Sequence, residues 1–480
     1  MRRKKLMTQT LMATTLALQA CITIEQDGAE TYVNVENVLD ADDDCCDDDC
    51  CDEEGDCCDD GCDEEEDEDT GETYEEDTGD TGDFEEEEEE EDVEVSVTDE
   101  EDGSITVVLP FEEEAEFTVD VQSEVRKLDI AFLLDTTSSM TEEAAAMALE
   151  FSAIVDDIST TIDDAAYGFA TFDDYAMEPL GYSAYGDKPF ALRHQMTQTE
   201  SSVQSVLNNI QIHAGGDGTE SGMEALYQGL LGMGYDQNAD GTYDDTTDVL
   251  PFIASSSDAF GGTAGESYDS SVTDGGLLGG YGFREGSLPV VIYATDAPLR
   301  DPSAGHTSPN GAPLDAGFND VVDAVSVMGA RLIGVATQSS SPVAQMQSLA
   351  TATGSLYEAD NDGVIDDELV FSWSATDSST DFRNTIVTAI QEMIGSVTFA
   401  EITVEIVGDS YGFVVSTDPE SYTNVTVGSD GLDLDFDVTV EGAVPESTED
   451  QLFEITLNIL GDGTTLLGTQ VITIVVPGTE

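Results

Sequence analysis

Basic residues are the scarcest class in this 480-residue chain: 12 Lys and Arg stand against 106 Asp and Glu, for a formal charge of −94. Arg2, Arg3, Lys4 and Lys5 account for four of the twelve. Such a deficit excludes nucleic acid and anionic lipid surfaces as partners, because both need Lys and Arg to neutralise phosphate. It favours cations, calcium and magnesium first. Cysteine is absent after Cys62, so everything downstream must fold without disulfides. Histidine is confined to His194, His213 and His306, far apart and without Cys or His companions at metal spacing, so each is expected to be a surface or structural residue. The single Trp373 suggests no role. There is no nucleophile elbow, phosphate-cradling loop or acid/base pair, so an enzyme is not expected.

Long apolar runs are missing too: no stretch has the ~18 unbroken apolar residues of a membrane span. What the amino terminus has instead is "MRRKK", a modestly apolar run from Leu6 to Leu18, and "LQAC". This order reads as an export signal over 1–20. "LQAC" resembles the lipobox of prokaryotic lipoproteins, although Gln19 is unusual there. The resemblance implies a lipid on Cys21 as the only membrane attachment, at the cell surface or outer membrane; a plain signal peptide with an incidental Cys is the alternative. Between Asp40 and Asp92, 34 of 53 residues are acidic and none is basic, too little apolar surface to offset ordering entropy. Residues 21–92 are therefore expected to form a disordered, self-repelling tether. Within it lie Cys45, Cys46, Cys50, Cys51, Cys57, Cys58 and Cys62, an odd number. Disulfides, a metal trap and biased low-complexity sequence all remain open for them.

From Val93 the pattern becomes one that folds. "VEVSV", "ITVVL" and "EFTVDVQSEV" predict two or three strands over 93–125, too few to stand alone. Over 126–395, apolar strands such as "LDIAFLLD", "AAYGFATF", "LPVVIYATD" and "ARLIGVAT" alternate with helical segments such as "TEEAAAMALEFSAIVDDI" and "STDFRNTIVTAIQEMIG". Alternation of this kind predicts an α/β fold, a doubly wound and mostly parallel sheet covered on both faces. Over 396–480 the period returns to two, as in "LDLDFDVTVEG" and "DQLFEITLNILG", which predicts a β-sandwich. The strands of 93–125 are expected to join it, with the α/β domain inserted between.

The densest chemistry is "LLDTTSSMTEE", Leu133 to Glu143. Asp135 ends an apolar strand, and Thr137 and Ser139 alternate after it, so one carboxylate and two hydroxyls can face a hard cation. The competing reading is a strand-to-helix turn, with Ser139 or Thr141 as N-cap and Glu142 and Glu143 favouring the helix dipole. The D-x-T-x-S pattern resembles the metal-ion-dependent adhesion site of von Willebrand factor A domains, and "YATDAP" supplies Asp296 where those domains carry a further Asp. "MTEE", "GFATFDDY" and "GGDGTESGMEALYQ" are more closely similar to the integrin β-subunit version. The resemblance implies a Rossmann-like fold and a primary Mg2+ held by Asp135, Thr137, Ser139, Glu220 and Asp296. It further implies an adjacent regulatory Ca2+ site at Glu142 and Glu143, and a supporting site at Asp174, Asp217 and the carbonyl of Thr219. Gly215 departs from the family's Asn. In that family a carboxylate from a protein partner completes the primary ion, so the resemblance implies a protein ligand and cell or matrix adhesion.

"DQNADGTYDDTTD" places Asp236, Asn238, Asp240 and Asp244 at calcium-loop spacing, but Thr247 stands at the twelfth position and Asp248 one step late. A calcium loop and a solvated acidic turn both remain open, as they do for "EADNDGVIDDE". A calcium-binding structural surface protein is accordingly the second functional expectation.

Overall fold

The computed structural model describes residues 20–27, 30–37, 94–100, 102–253, 264–306, 316–360, 362–374 and 376–479. Residues 1–19 of the expected signal peptide, the seven tether cysteines and the side chain of Cys21 lie outside the described residues. The chain divides into two compact units, 1–87 and 88–480. In the first, Ala20–Asp27 pairs antiparallel with Glu30–Asn37. Here "ITIE" and "TYVNV" alternate β-branched or aromatic residues with polar ones, and the acidic run begins only after them.

The second unit contains a six-stranded, mostly parallel sheet. Its strands are β1 (Lys127–Asp135), β2 (Asp164–Phe172), β3 (Ala191–Thr197), β4 (Leu288–Thr295), β5 (Arg331–Thr337) and β6 (Val370–Trp373). Their spatial order is β6-β5-β4-β1-β2-β3, with only β3 antiparallel. Six helices accompany them: α1 (Thr141–Ile158), α2 (Glu200–Leu207), α3 (Gly222–Leu231), α4 (Phe318–Met328), α5 (Val343–Thr353) and α6 (Ser379–Ile394). β1 is apolar on both faces because both are covered. Ile130, Phe132 and Leu134 join Met147, Phe151 and Ile154 of α1 and Phe382 and Ile386 of α6 in one core cluster. Ala131 and Leu133 join Met223 and Leu226 of α3 and Val321 of α4 in the other. Asp135 continues the odd-numbered series, so it reaches the carboxyl end of the sheet on the α3 side.

Besides a two-stranded pairing of Leu356–Tyr357 with Asp367–Glu368, the described residues of this unit form two further, larger sheets. One has the order Ser421–Val427, Val397–Val407, Gln451–Gly461, Thr465–Val476, Ile105–Val108, Ser96–Asp99. The other has Val414–Asp418, Leu432–Glu441 and Glu114–Ser123. The segment before the α/β layer thus supplies strands to both, through Leu432–Glu441 with Glu114–Ser123 and Thr465–Val476 with Ile105–Val108. The period-two pattern decides which side chains meet: Leu434, Phe436, Val438 and Val440 are buried, while Asp433, Asp435 and Asp437 face out. Arg331 ties β5 to this region, donating to Thr398 O at 2.7 Å and lying over the Phe399 ring.

Candidate metal centre at the carboxyl end of the sheet

The turn after β1 is built around Asp135, which is fully buried. Its Oδ1 accepts from the Thr137 amide and hydroxyl, both at 2.8 Å, and its Oδ2 accepts from the Thr295 hydroxyl at 2.6 Å. Thr137 Oγ1 lies 3.4 Å from Ser139 Oγ, which donates to Asp296 Oδ1 at 3.0 Å. One chain of polar contacts therefore links Asp135, Thr137, Ser139 and Asp296. The N-cap reading fails, because α1 follows a short 3-10 turn, its N-cap is Met140, and no side chain caps it. Ser139 turns toward Asp296, and Thr141 Oγ1 donates back to Ser138 O at 2.9 Å.

Glu220 approaches from the loop before α3. It is 5% exposed, and its Oε2 is buried with no hydrogen-bond partner. Burial pushes its carboxyl far above the usual range, with Asp174 and Asp135 adding to the shift, and Asp174 and Glu220 share a side-chain hydrogen bond. Burial likewise raises Asp135 and Asp174. Three carboxyls have thus been removed from water close together, an arrangement that disfavours their charged forms and is only partly offset by the Arg300 guanidinium beside Asp174. A hard divalent ion suits the donors present, carboxylates and hydroxyls. Gly215, where the resemblance leads one to expect Asn, has φ +64°, and a Cβ there would meet Thr137 Cγ2 at 3.1 Å, so this loop lies close to the turn after β1 in a conformation that favours Gly.

The structure brings Asp174, Asp217 and Thr219 O together around the guanidinium of Arg300. Its Nη2 lies 3.4 Å from Asp174 Oδ1, 2.9 Å from Asp217 Oδ1 and 2.8 Å from Thr219 O. Glu143 is buried, and both its oxygens accept from Gln338 Nε2, which also donates to Ser139 O. Glu142 is exposed in the first turn of α1, so the structure parts the expected pair.

Sequence reasoning missed Asp173, Thr295, Arg300 and Gln338. Asp173 clamps the site's loops: its Oδ1 accepts from Thr136 Oγ1 at 2.7 Å, its Oδ2 lies 2.7 Å from His213 Nδ1, and its carbonyl accepts from the Ser221 amide and hydroxyl. The hydrogen bond with Asp173 raises the pKa of His213. The one signal for Arg300 was its sign, since a cation directly after "TDAPL" is conspicuous in so acidic a chain.

The loop at 236–248 is organised by its own backbone. Asp236 Oδ2 accepts from Gly241 N at 2.7 Å, Asn238 Oδ1 from Asp240 N at 2.8 Å, and Asp240 and Asp244 from the residues two further on. Asp248, not Thr247, is the buried residue closing it, accepting from Asp244 N and Gln237 N. Asp236 Oδ1 is buried without a partner. Two further groups have ligand atoms within 4.8 Å of one another: Asp173, Asp187 and His213, and Glu358, Asp360 and Asp362.

No protein-family model matches the chain, and no curated protein matches it. Among solved structures it is similar to proximal thread matrix protein 1 from the mussel byssus, at 11% identity, 58% of this chain, 51% of that chain and a TM-score of 0.33. It is also similar to the pilus adhesin SpaC from Lactobacillus rhamnosus GG in its open conformation, at 10% identity, 75% and 45% coverage and a TM-score of 0.31. The chain thus spans about half the length of each. Scores this low do not define a shared fold. No helix among the described residues is long and apolar enough to cross a membrane.

Proposed function

We propose that residues 126–395 form an adhesion domain of the von Willebrand factor A type, closest to the integrin β form. Asp135, Thr137, Ser139, Glu220 and Asp296 hold a Mg2+ that receives a carboxylate from a protein ligand. The observation that carries this reading is Glu220 Oε2, buried without a partner beside the buried Asp135 at the carboxyl end of the parallel sheet, where ligands of such sheets bind. A bound ion supplies local positive charge, and so a strongly anionic protein can take an acidic ligand. Export, lipid attachment at Cys21 and an acidic tether holding the domain off the membrane complete the proposal. The experiment is capture of ligand from surface extract by full-length wild type and Asp135→Ala, with Mg2+ and with EDTA. Capture lost in the variant and in EDTA supports the reading; identical capture in all four conditions overturns it.

The second reading, a calcium-binding structural surface protein, is favoured by the buried, unpartnered Asp236 Oδ1 in the 236–248 loop. Under it, Asp236→Ala lowers the calcium-induced rise in melting temperature, and Asp135→Ala leaves capture unchanged.

A further inference from the structure

Two side-chain nitrogens sit on either side of the Asp135 cluster, each gathered by three oxygens. Arg300 Nη2 has Thr219 O at 2.8 Å, Asp217 Oδ1 at 2.9 Å and Asp174 Oδ1 at 3.4 Å. Gln338 Nε2 has Ser139 O at 2.9 Å and the two oxygens of Glu143 at 2.9 and 3.1 Å. Sets of carboxylate and carbonyl oxygens are what a hard cation takes, and here a donor of the protein's own already lies at the centre of each. Arg300 is 3% exposed and its Nε has no partner, so the three oxygens at Nη2 hold the group. Its main chain grips the same segment: Arg300 N donates to Glu220 O at 2.7 Å, and Glu220 N donates to Pro298 O at 3.0 Å. Gln338 has φ +49°, a left-handed backbone uncommon for a residue with a side chain.

We propose that Arg300 and Gln338 stand in for cations flanking the primary site, and that Arg300 is a positioning residue that fixes Glu220, so the primary ion needs no calcium beside it. The proposal rests on the reading of the Asp135 cluster as an ion site. A calcium ion arriving among Asp174, Asp217 and Thr219 has to expel a buried guanidinium, which then has no partner. One arriving at Glu143 has to expel the Gln338 amide from all three of its acceptors.

The test is equilibrium dialysis of the full-length chain against Mg2+ alone and Ca2+ alone, in salt high enough to screen the exposed carboxylates. Wild type is compared with Asp135→Ala, Asp217→Asn, Glu143→Gln, Arg300→Ala and Arg300→Lys. Wild type, Asp217→Asn and Glu143→Gln are expected to bind equal numbers of calcium ions. Arg300→Ala is expected to gain one calcium and to lose about tenfold or more in Mg2+ affinity, because the lost side chain holds Thr219 O next to Glu220 and Asp174, which is hydrogen-bonded to Glu220. Added calcium then restores that affinity, which a merely structural role for Arg300 would not produce, and Arg300→Lys keeps most of it. A wild type that binds more calcium than Asp217→Asn or Glu143→Gln overturns the proposal, whether or not Arg300→Ala folds. Equal Mg2+ counts for wild type and Asp135→Ala overturn the primary-site reading instead, so the two failures are distinguishable.

Discussion

Asp129 and Asp135 stand on the same strand and the same face, about 20 Å apart along it, and both are buried. At the amino end, Asp129 accepts from Arg284 Nε at 2.7 Å and from the Arg284 amide at 2.6 Å, and the same guanidinium reaches Asp164. At the carboxyl end, Asp135 meets hydroxyls and an amide, while Glu220 beside it leaves an oxygen with nothing. The chain has very few cations, yet it places one beside Asp129 and leaves Asp135 without one. Burial pushes the pKa of both carboxyls up; at Asp129 the Arg284 cation works against that rise, whereas at Asp135 only hydroxyls and an amide do.

The largest effect that bears on this contrast is at Arg284. Arg284→Met leaves Asp129 buried and unpaired and is expected to cost about 3–5 kcal/mol in denaturant unfolding. A loss below about 1 kcal/mol would show that the amino-end pair is not what fixes that end. Asp135→Ala should behave in the opposite way, with little change or a gain in stability in EDTA. It should also forfeit the stabilisation of about 2.7 kcal/mol that wild type gains at Mg2+ near 100 times its Kd. Melting curves with and without Mg2+ read both. Next comes Thr295→Val, which removes the 2.6 Å bond that orients Asp135 Oδ2. The expected loss is about 1.5 kcal/mol of Mg2+ binding, roughly tenfold, measured by titration calorimetry. The smallest effect is at Glu142, where an exposed side chain implies that Glu142→Ala stays within about 0.5 kcal/mol of wild type. Unchanged Mg2+ affinity in that variant would set it apart from Thr295→Val.

The alternation of apolar runs was enough to place β1, β2, β4 and β5 and the helices α1 and α6, because strands buried on both faces and amphipathic helices leave strong periodic signals. "FALRHQMT" gave no such signal: its strand is an antiparallel edge strand in which the polar Arg193, exposed, and His194, half-buried, interrupt the apolar run. β6 was missed for a related reason, since its four residues are too few for a period to show. Trp373 ends that strand and packs edge-on against Phe382 at 5.2 Å, a core role that its isolation in the sequence concealed. At the candidate site, the spacing of Asp135, Thr137 and Ser139 was legible because a strand end and the following turn are local. Beyond the charge sign of Arg300, neither Arg300 nor Gln338 was legible. Each arrives from a different crossover, and a single long side chain reaching across the sheet end has no sequence period.

The most direct measurement is Mg2+ stoichiometry by titration calorimetry on the full-length wild type and Asp135→Ala, in high salt and with both shown to be folded. Wild type is expected to bind one Mg2+ more than the variant. Equal stoichiometry and affinity in the two proteins would contradict it.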